Sequence, residues 1–227
     1  MGARCGADLM SRIGAVIFDC DGVLVDSERL MNREFSAMLT ELGLPHTAEE
    51  TTRRFMGRSM KSCLQIVETQ LGRPVPDDFV AELDQRAYAV FAQSLTPVPG
   101  VESVLDALDR AGTPYAVASS GSHEKMQTTL GITGLWPRLS GRITSATEVA
   151  HGKPAPDVFL LAAERLRIVP RECVVIEDSL LGIEAALAAG MRVVGFAAMI
   201  DATAMHSAGA TWVAHTMPEV LQLLAAE

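Results

Sequence analysis

Short apolar stretches that alternate with helical patterns are the feature that most constrains the fold of this chain. The first stretch, residues 13–18, has apolar residues at nearly every position, which is typical of a strand buried on both faces. Similar stretches follow later: Tyr115–Ser119, a weaker one at 142–145, Cys173–Glu177 and Arg192–Phe196. Strands that alternate with helices predict right-handed βαβ units and a doubly wound, Rossmann-like parallel sheet, an α/β fold. We expect segment 211–227 to add a last short strand and helix.

Residues 26–94 contain no stretch of this kind. Their apolar residues recur at helical spacing near 27–42, 47–56, 59–71 and 77–93, with breaks at Gly57 and at 72–74. We therefore predict an all-helical domain at 26–94, inserted after the first strand of an α/β core that comprises 11–25 and 95–227. Residues 1–10 are expected to form a flexible N-terminal segment.

Composition excludes several classes of function. The net charge of −9 disfavours a general nucleic-acid binder, which needs a basic face. No run of 18 apolar residues is free of charges or glycine, and residues 1–12 lack the apolar core of a signal peptide, so we expect a cytoplasmic protein with no membrane partner. The four cysteines show no metal-binding spacing. A monomer is the default expectation.

Polar residues follow the predicted strands at the point where each strand ends. In open parallel sheets these carboxyl ends share one edge, where ligands bind. The residues in question are Asp19, Asp21, Ser119, Ser120, Gly121, Glu177 and Asp178, together with Lys153 just before a predicted helix. Four carboxylates brought close together repel one another unless a cation offsets them. Mg²⁺ is the simplest such cation, because it prefers oxygen ligands and accompanies phosphate substrates.

Each of these signals has a structural alternative when it is taken alone. Asp-x-Asp-Gly after a strand is also typical of a turn, and Ser119 is also a plausible helix cap. Lys153 could be a solvated surface lysine, and 177–179 could simply begin a helix. The convergence of all four at one edge favours a functional site.

The same residues resemble the signatures of the haloacid dehalogenase superfamily. The segment DCDGVLVDSE at 19–28 resembles its first signature, and Ser119, GKPAPD at 152–157 and EDSLLGI at 177–183 resemble the second, third and fourth in the same order. The predicted helical insert is similar to the helical cap of that superfamily, and the resemblance covers nearly the whole chain from about residue 11. Within the superfamily the chain is most similar to sugar-phosphate phosphatases and β-phosphoglucomutases, and 119–127 resembles the 6-phosphogluconate phosphatase branch.

The resemblance implies a role for each matching residue. Asp19 would attack phosphorus and become an aspartyl phosphate, and Asp21 would serve as general acid and then as general base. Ser119 would bind a phosphoryl oxygen, helped by backbone N–H groups at Ser120 and Gly121, and Lys153 would offset negative charge. The implied metal site holds Mg²⁺ through Asp19, the Asp21 carbonyl and Asp178, with Glu177 bound to the metal directly or through a neighbour.

Three positions separate the members of the superfamily. Asp21 disfavours a dehalogenase, which needs no proton for its leaving group. Met31 stands where the mutases carry a cap histidine, and Met60 stands where their arginine is expected. We therefore predict a phosphatase that acts on a small phosphorylated metabolite, either a sugar phosphate or a sugar-acid phosphate. A β-phosphoglucomutase-type enzyme is the alternative, and a non-catalytic binding protein would be expected to have lost Asp19 or Asp21.

The predicted cap is expected to choose the substrate, because caps of this kind close over the leaving group. Glu28 lies near the start of the insert, and Arg58 follows Gly57, so both are expected near the cleft. We predict that these two residues bind substrate.

Overall fold

The computed structural model describes residues 13–55 and 60–226. Within them lies a six-stranded sheet, entirely parallel, in the order β3-β2-β1-β4-β5-β6. The strands are β1 (Ala15–Phe18), β2 (Tyr115–Ser119), β3 (Ile143–Ser145), β4 (Cys173–Glu177), β5 (Arg192–Phe196) and β6 (Trp212–Ala214). The predicted Rossmann-like α/β class is confirmed, although the first strand begins two residues later than the apolar pattern indicates. The predicted flexible segment 1–10 lies outside the described residues.

Helices cover both faces of this sheet. They are α5 (Val101–Ala111), α6 (His123–Ile132), α7 (Trp136–Leu139), α8 (Asp157–Leu166), α9 (Leu180–Ala188), α10 (Ala202–Ser207) and α11 (Met217–Ala225). The side chains of β1 alternate between the faces: Val16 and Phe18 pack in one apolar core with residues of α5 and α11, and Ala15 and Ile17 pack in another with residues of α8 and α9. Burial on both faces explains why β1 has no polar positions.

Among the described residues, four helices lie between β1 and α5 in the sequence. They are α1 (Ser27–Glu41), α2 (Ala48–Phe55), α3 (Met60–Leu71) and α4 (Phe79–Ser94). Phe35, Phe55 and Phe79 meet edge to face inside a third apolar cluster, with ring centroids 5.1 and 6.1 Å apart for the pairs that share Phe35. This insert therefore has an apolar core of its own, separate from the two that flank the sheet.

The two chain segments that join the insert to the sheet run side by side. Val25 bridges to Pro97, and the Asp26 backbone N–H donates to the Thr96 carbonyl at 3.0 Å. The first of these segments follows the carboxyl end of β1 and the second leads from the insert into α5, so the helices of the insert lie above that edge of the sheet. None of the described helices is long and apolar enough to cross a membrane.

Candidate active site

The loop after β1 carries the first two candidate residues. Asp19 follows the last residue of the strand, and its N–H still donates to the Ile176 carbonyl of β4 at 2.9 Å. The chain then turns at Gly22, whose φ of +79° is a left-handed conformation that glycine adopts without strain. This turn keeps the Asp19 and Asp21 side chains at the carboxyl edge of the sheet.

Lys153 lies between Asp19 and Glu177. Its Nζ is 2.5 Å from Asp19 Oδ1 and 2.6 Å from Glu177 Oε1, and its side chain is only 5% exposed. Burial alone would lower the pKa of Lys153, but the two carboxylates raise it well above its usual range, so the lysine stays charged. Lys153 is therefore a buried cation and not a solvated surface lysine.

Asp19 itself has a raised pKa, about 7. Burial is the main cause, Glu177 and Asp21 add to it, and Lys153 opposes it. A second positive charge near Asp19 would keep this carboxylate ionised at neutral pH.

Glu177 is enclosed on all sides. Its second oxygen accepts the Ser179 N–H at 2.7 Å, and Ser179 caps α9 by accepting the Gly182 N–H at 3.0 Å. A Cβ atom at position 182 would lie 1.7 Å from Glu177 Oε1, so only glycine leaves room for the carboxylate. The predicted helix start at 177–179 is thus present, and it coexists with the ion pair to Lys153.

Both carboxylate oxygens of Asp21 accept hydrogen bonds. Ser27 Oγ donates to Oδ1 at 2.7 Å, and Lys125 Nζ donates to Oδ2 at 2.8 Å. Burial alone would raise the pKa of Asp21, but these partners lower it below its usual value. Sequence reasoning did not single out Lys125. The sequence feature that points to Lys125 is its position in the first turn of the helix that follows Ser119, Ser120 and Gly121.

The last residue of β2 is a serine whose hydroxyl hydrogen is free to donate. Ser119 is 1% exposed, and its Oγ accepts the Gly121 N–H at 3.0 Å. Since Oγ is already an acceptor, its own hydrogen can be given to a ligand. Ser145 Oγ in turn donates to the Gly121 carbonyl at 2.7 Å and fixes the loop.

A cavity of about 590 Å³ lies between this edge of the sheet and the insert. From the sheet side it is lined by Asp19, Asp21, Ser119, Ser120, Gly121, Lys125, Lys153, Glu177 and Asp178. From the insert it is lined by Glu28, Met31, Asn32, Phe35, Phe55, Met60, Cys63, Leu83 and Asp84. The structure therefore brings together every predicted site residue except Arg58, which lies outside the described residues.

Negative charge is in excess in this cavity. Its described lining contains six carboxylates and two lysines. Burial and then Glu177 raise the pKa of Asp178 well above its usual range, and burial and then Asp21 raise that of Glu28 to about 7. Neither side chain has a hydrogen bond or ion pair within the described part of the chain. A bound cation would relieve this repulsion.

Asp178 is the carboxylate best placed for such a cation. A Cβ atom at Gly22 would lie 1.9 Å from Asp178 Oδ2, so this carboxylate rests directly on the turn that carries Asp19 and Asp21. Within the described residues no group of three or more carboxylate, imidazole or thiol side chains is arranged so that it could hold a metal ion. Mg²⁺ does not need such a group, because it usually keeps several waters and takes only one or two protein carboxylates. The residues present fit Mg²⁺.

Comparison with known proteins identifies the family. Residues 16–196 match the model of the haloacid dehalogenase-like hydrolases. The chain belongs to this family. Phosphatases of the family generally use Mg²⁺.

Two similar proteins are named as phosphatases. The chain is 30% identical over 190 residues to 6-phosphogluconate phosphatase of Escherichia coli, covering 83% of this chain and 85% of that protein. It is 34% identical over 208 residues to the phosphorylated carbohydrates phosphatase of Thermotoga maritima, covering 90% and 94%. The predicted enzyme class, a phosphoric monoester hydrolase, is confirmed.

Solved structures agree on the fold. A haloacid dehalogenase-like protein of unknown function from Agrobacterium tumefaciens superposes with a TM-score of 0.86 at 34% identity, covering 94% of this chain and 98% of that one. A putative β-phosphoglucomutase from T. maritima superposes with a TM-score of 0.75 at 32% identity, covering 93% and 98%. The fold is therefore shared by a protein of unknown function and by a protein named as a putative β-phosphoglucomutase.

Proposed function

We propose that this protein hydrolyses small phosphorylated sugars or sugar acids through an aspartyl phosphate on Asp19. One observation carries the proposal: Asp19 is buried against Lys153 at the wall of the cavity. The same cavity is lined by the Ser119 hydroxyl and by a second carboxylate, Asp21, which has its own ion pair with Lys125. Phosphoryl transfer needs this combination of positioning and charge neutralisation.

In the first half-reaction an Asp19 oxygen attacks phosphorus and the bond from phosphorus to the ester oxygen breaks. Ser119 Oγ donates to a phosphoryl oxygen, and Lys153 offsets negative charge on both Asp19 and the phosphoryl group. Asp21 transfers a proton to the departing oxygen, which leaves as an alcohol. The dianionic phosphoryl group raises the proton affinity of Asp21 when substrate binds, against the effect of Lys125 and Ser27.

In the second half-reaction Asp21, now a carboxylate, takes a proton from a water molecule that attacks phosphorus. The bond from phosphorus to Asp19 breaks, and inorganic phosphate and the free Asp19 carboxylate are formed. Asp21 and Lys153 thus act in both halves, and Asp19 is regenerated.

Asp19, the Asp21 carbonyl and Asp178 would hold Mg²⁺. When bound, the ion supplies positive charge that neutralises the phosphoryl oxygens and keeps Asp19 ionised. We infer that Glu177 pairs with Lys153 and does not bind the metal directly, because its two carboxylate oxygens already accept hydrogen bonds from Lys153 and from the Ser179 N–H.

The insert is proposed to choose the substrate, and residues 26–94 are proposed to act as a cap over the core. Its cavity wall combines polar Glu28, Asn32 and Asp84 with apolar side chains, which suits a polyhydroxylated leaving group of sugar size. The names of the relatives, which specify 6-phosphogluconate and phosphorylated carbohydrates, support this class. We further propose a cytoplasmic monomer with no nucleic-acid partner, in keeping with the thiols of Cys20 and Cys173, which form no disulfide, and with a net charge of −9.

The test is a panel of phosphorylated sugars, hexitols and sugar acids, assayed for phosphate release with Mg²⁺ and with EDTA. We expect release from at least one member, loss of release in EDTA, and no release by Asp19→Asn. Release by Asp19→Asn, or a rate that EDTA leaves unchanged, would contradict the proposal.

A mutase is the second candidate, because a solved structure named as a putative β-phosphoglucomutase superposes on most of the chain. Met31 lines the cavity, and its thioether can neither donate nor accept a proton as a histidine could. Hydrolysis is therefore favoured. Conversion of β-glucose 1-phosphate into glucose 6-phosphate would instead establish the mutase.

A further inference from the structure

The ion pair between Lys125 and Asp21 joins residues that are 104 positions apart in the sequence. Lys125 comes from the first turn of α6, directly after β2, and its side chain is 26% exposed. A Cβ atom at Gly121 would lie 3.3 Å from Lys125 Cδ and 3.7 Å from Asp21 Oδ2, so the lysine stem crosses Gly121 to reach the carboxylate. The ion pair therefore lies directly against the backbone of the β2–α6 loop.

The strand order separates the carboxylates of the site into two groups. β2 and β4 flank β1 on opposite sides. Glu177 and Asp178 arrive from the β4 side, whereas Asp21 is drawn toward the β2 side by Lys125. Asp19 lies between them, bonded to Lys153.

This separation matters because Asp21 is two residues from Asp19 and its carboxylate is chemically as good a magnesium ligand as that of Asp178. A carboxylate bound to the metal could not move a proton to or from the leaving group. Something must therefore keep the side chain of Asp21 out of the acidic cluster. Ser27 supplies one hydrogen bond, but Lys125 supplies the only direct ion pair to Asp21 among the described residues.

We propose that Lys125 is a positioning residue whose ion pair holds the Asp21 carboxylate on the β2 side of the site, facing the leaving group and outside the magnesium ligand set. This inference rests on the proposed function. It assigns Lys125 a role through Asp21 and not as a substrate ligand.

The test compares Lys125→Met and Lys125→Arg with the wild type in full-length enzyme. Misplacing a catalytic group by about 1 Å can cost about 100-fold in rate. We expect Lys125→Met to lose about 10- to 100-fold in kcat while KM changes less than about 3-fold, and Lys125→Arg to recover most of the loss. Magnesium titration calorimetry without substrate is expected to show unchanged or tighter binding to Lys125→Met, because Asp21 becomes available as a ligand.

Arg171→Met is the matched control, since it removes an exposed cation that pairs with Glu172 before β4, far from the cavity. It should leave kcat, KM and magnesium affinity unchanged. A large rise in KM with kcat preserved would make Lys125 a substrate ligand and overturn the proposal. Weaker magnesium binding, an unchanged kcat, or no rescue by arginine would also overturn it. Failure of the proposed function would look different, because the wild type itself would then release no phosphate or Asp19→Asn would remain active.

Discussion

At the scale of single residues, the site is a balance of charges that the protein alone leaves incomplete. Lys153 pairs with both Asp19 and Glu177, so its single positive charge offsets only one of their two negative charges, and Lys125 offsets that of Asp21. Asp178 is left with a pKa well above its usual range and no partner among the described residues. A partly buried carboxylate in this state lowers the stability of the fold in the absence of a cation. The carboxylate that is proposed to bind the metal therefore lowers the stability of the metal-free fold.

Asp178→Asn tests this effect directly. In EDTA at neutral pH we expect the variant to have a higher Tm than the wild type, by roughly 2–4 °C for each 1 kcal/mol of relieved repulsion in a chain of this size. Mg²⁺ should raise the Tm of the wild type and leave that of the variant unchanged, because binding to the native state is lost. Thermal unfolding followed by circular dichroism measures both.

Glu184→Gln, an exposed acid on α9, is the control and should respond to Mg²⁺ as the wild type does. If Asp178→Asn had a lower Tm in EDTA, or kept the magnesium response, Asp178 would not be the uncompensated ligand described here.

At the scale of elements, most of the fold follows from apolar periodicity. The five strands beyond the first, and the helices of the insert, appear within a few residues of their predicted bounds because their core positions repeat at helical or strand spacing. α7 and α10 were not predicted, since four and six residues are too few to show a period. Ion pairs such as Lys125 with Asp21 were also beyond the sequence, because strand order, and not spacing, brings them together.

The loop after β3 depends on one acid that joins three elements. Glu148 accepts from the Ser145 N–H at 2.8 Å, from Arg165 of α8 and from His123 of α6 at 2.8 Å. Its contact with Arg165, opposed by slight burial, lowers the pKa of Glu148 to about 2 from 4.5. This network anchors the β3 loop next to Ser145, which fixes the β2–α6 loop of the site.

We predict that Glu148→Gln lowers the free energy of unfolding by about 1 kcal/mol near neutral pH, because a charge-assisted contact that is partly solvated becomes neutral. Since the folded pKa is depressed, the stabilisation is present above about pH 4.5 and is lost as the pH falls toward 2. Urea unfolding of the two proteins across this range should show their difference shrinking. A difference that stays constant with pH would contradict the assignment. Glu124→Gln, exposed on α6, is the control.

At the scale of the whole molecule, the sheet supplies the chemistry and the insert supplies the far wall of the cavity. Asp84 on α4 lines that wall and lies well away from Asp19 in the sequence. We predict that Asp84→Leu raises KM for a sugar or hexitol phosphate by about 10-fold, which is the effect expected from the loss of one polar contact with the substrate. Turnover of a simple aryl phosphate should be unchanged. Steady-state kinetics with both substrates measure the split.

Gln85→Leu, at the next position on α4 and outside the cavity lining, should affect neither substrate. Equal losses on both substrates for Asp84→Leu would mean that the insert supports the reacting groups themselves and does not select the leaving group.

The central claim is that Asp19 carries the phosphoryl group. Asp21→Asn should slow the water step, and an aryl phosphate has a leaving group that needs no proton, so phosphoenzyme should accumulate. The measurement is an acid quench of Asp21→Asn with Mg²⁺ and aryl phosphate, borohydride reduction of the acyl phosphate, and peptide mass spectrometry. We predict homoserine at position 19 and none when Asp19→Asn is added. Reduction at another carboxylate, or no reduction while phosphate is still released, would contradict the account.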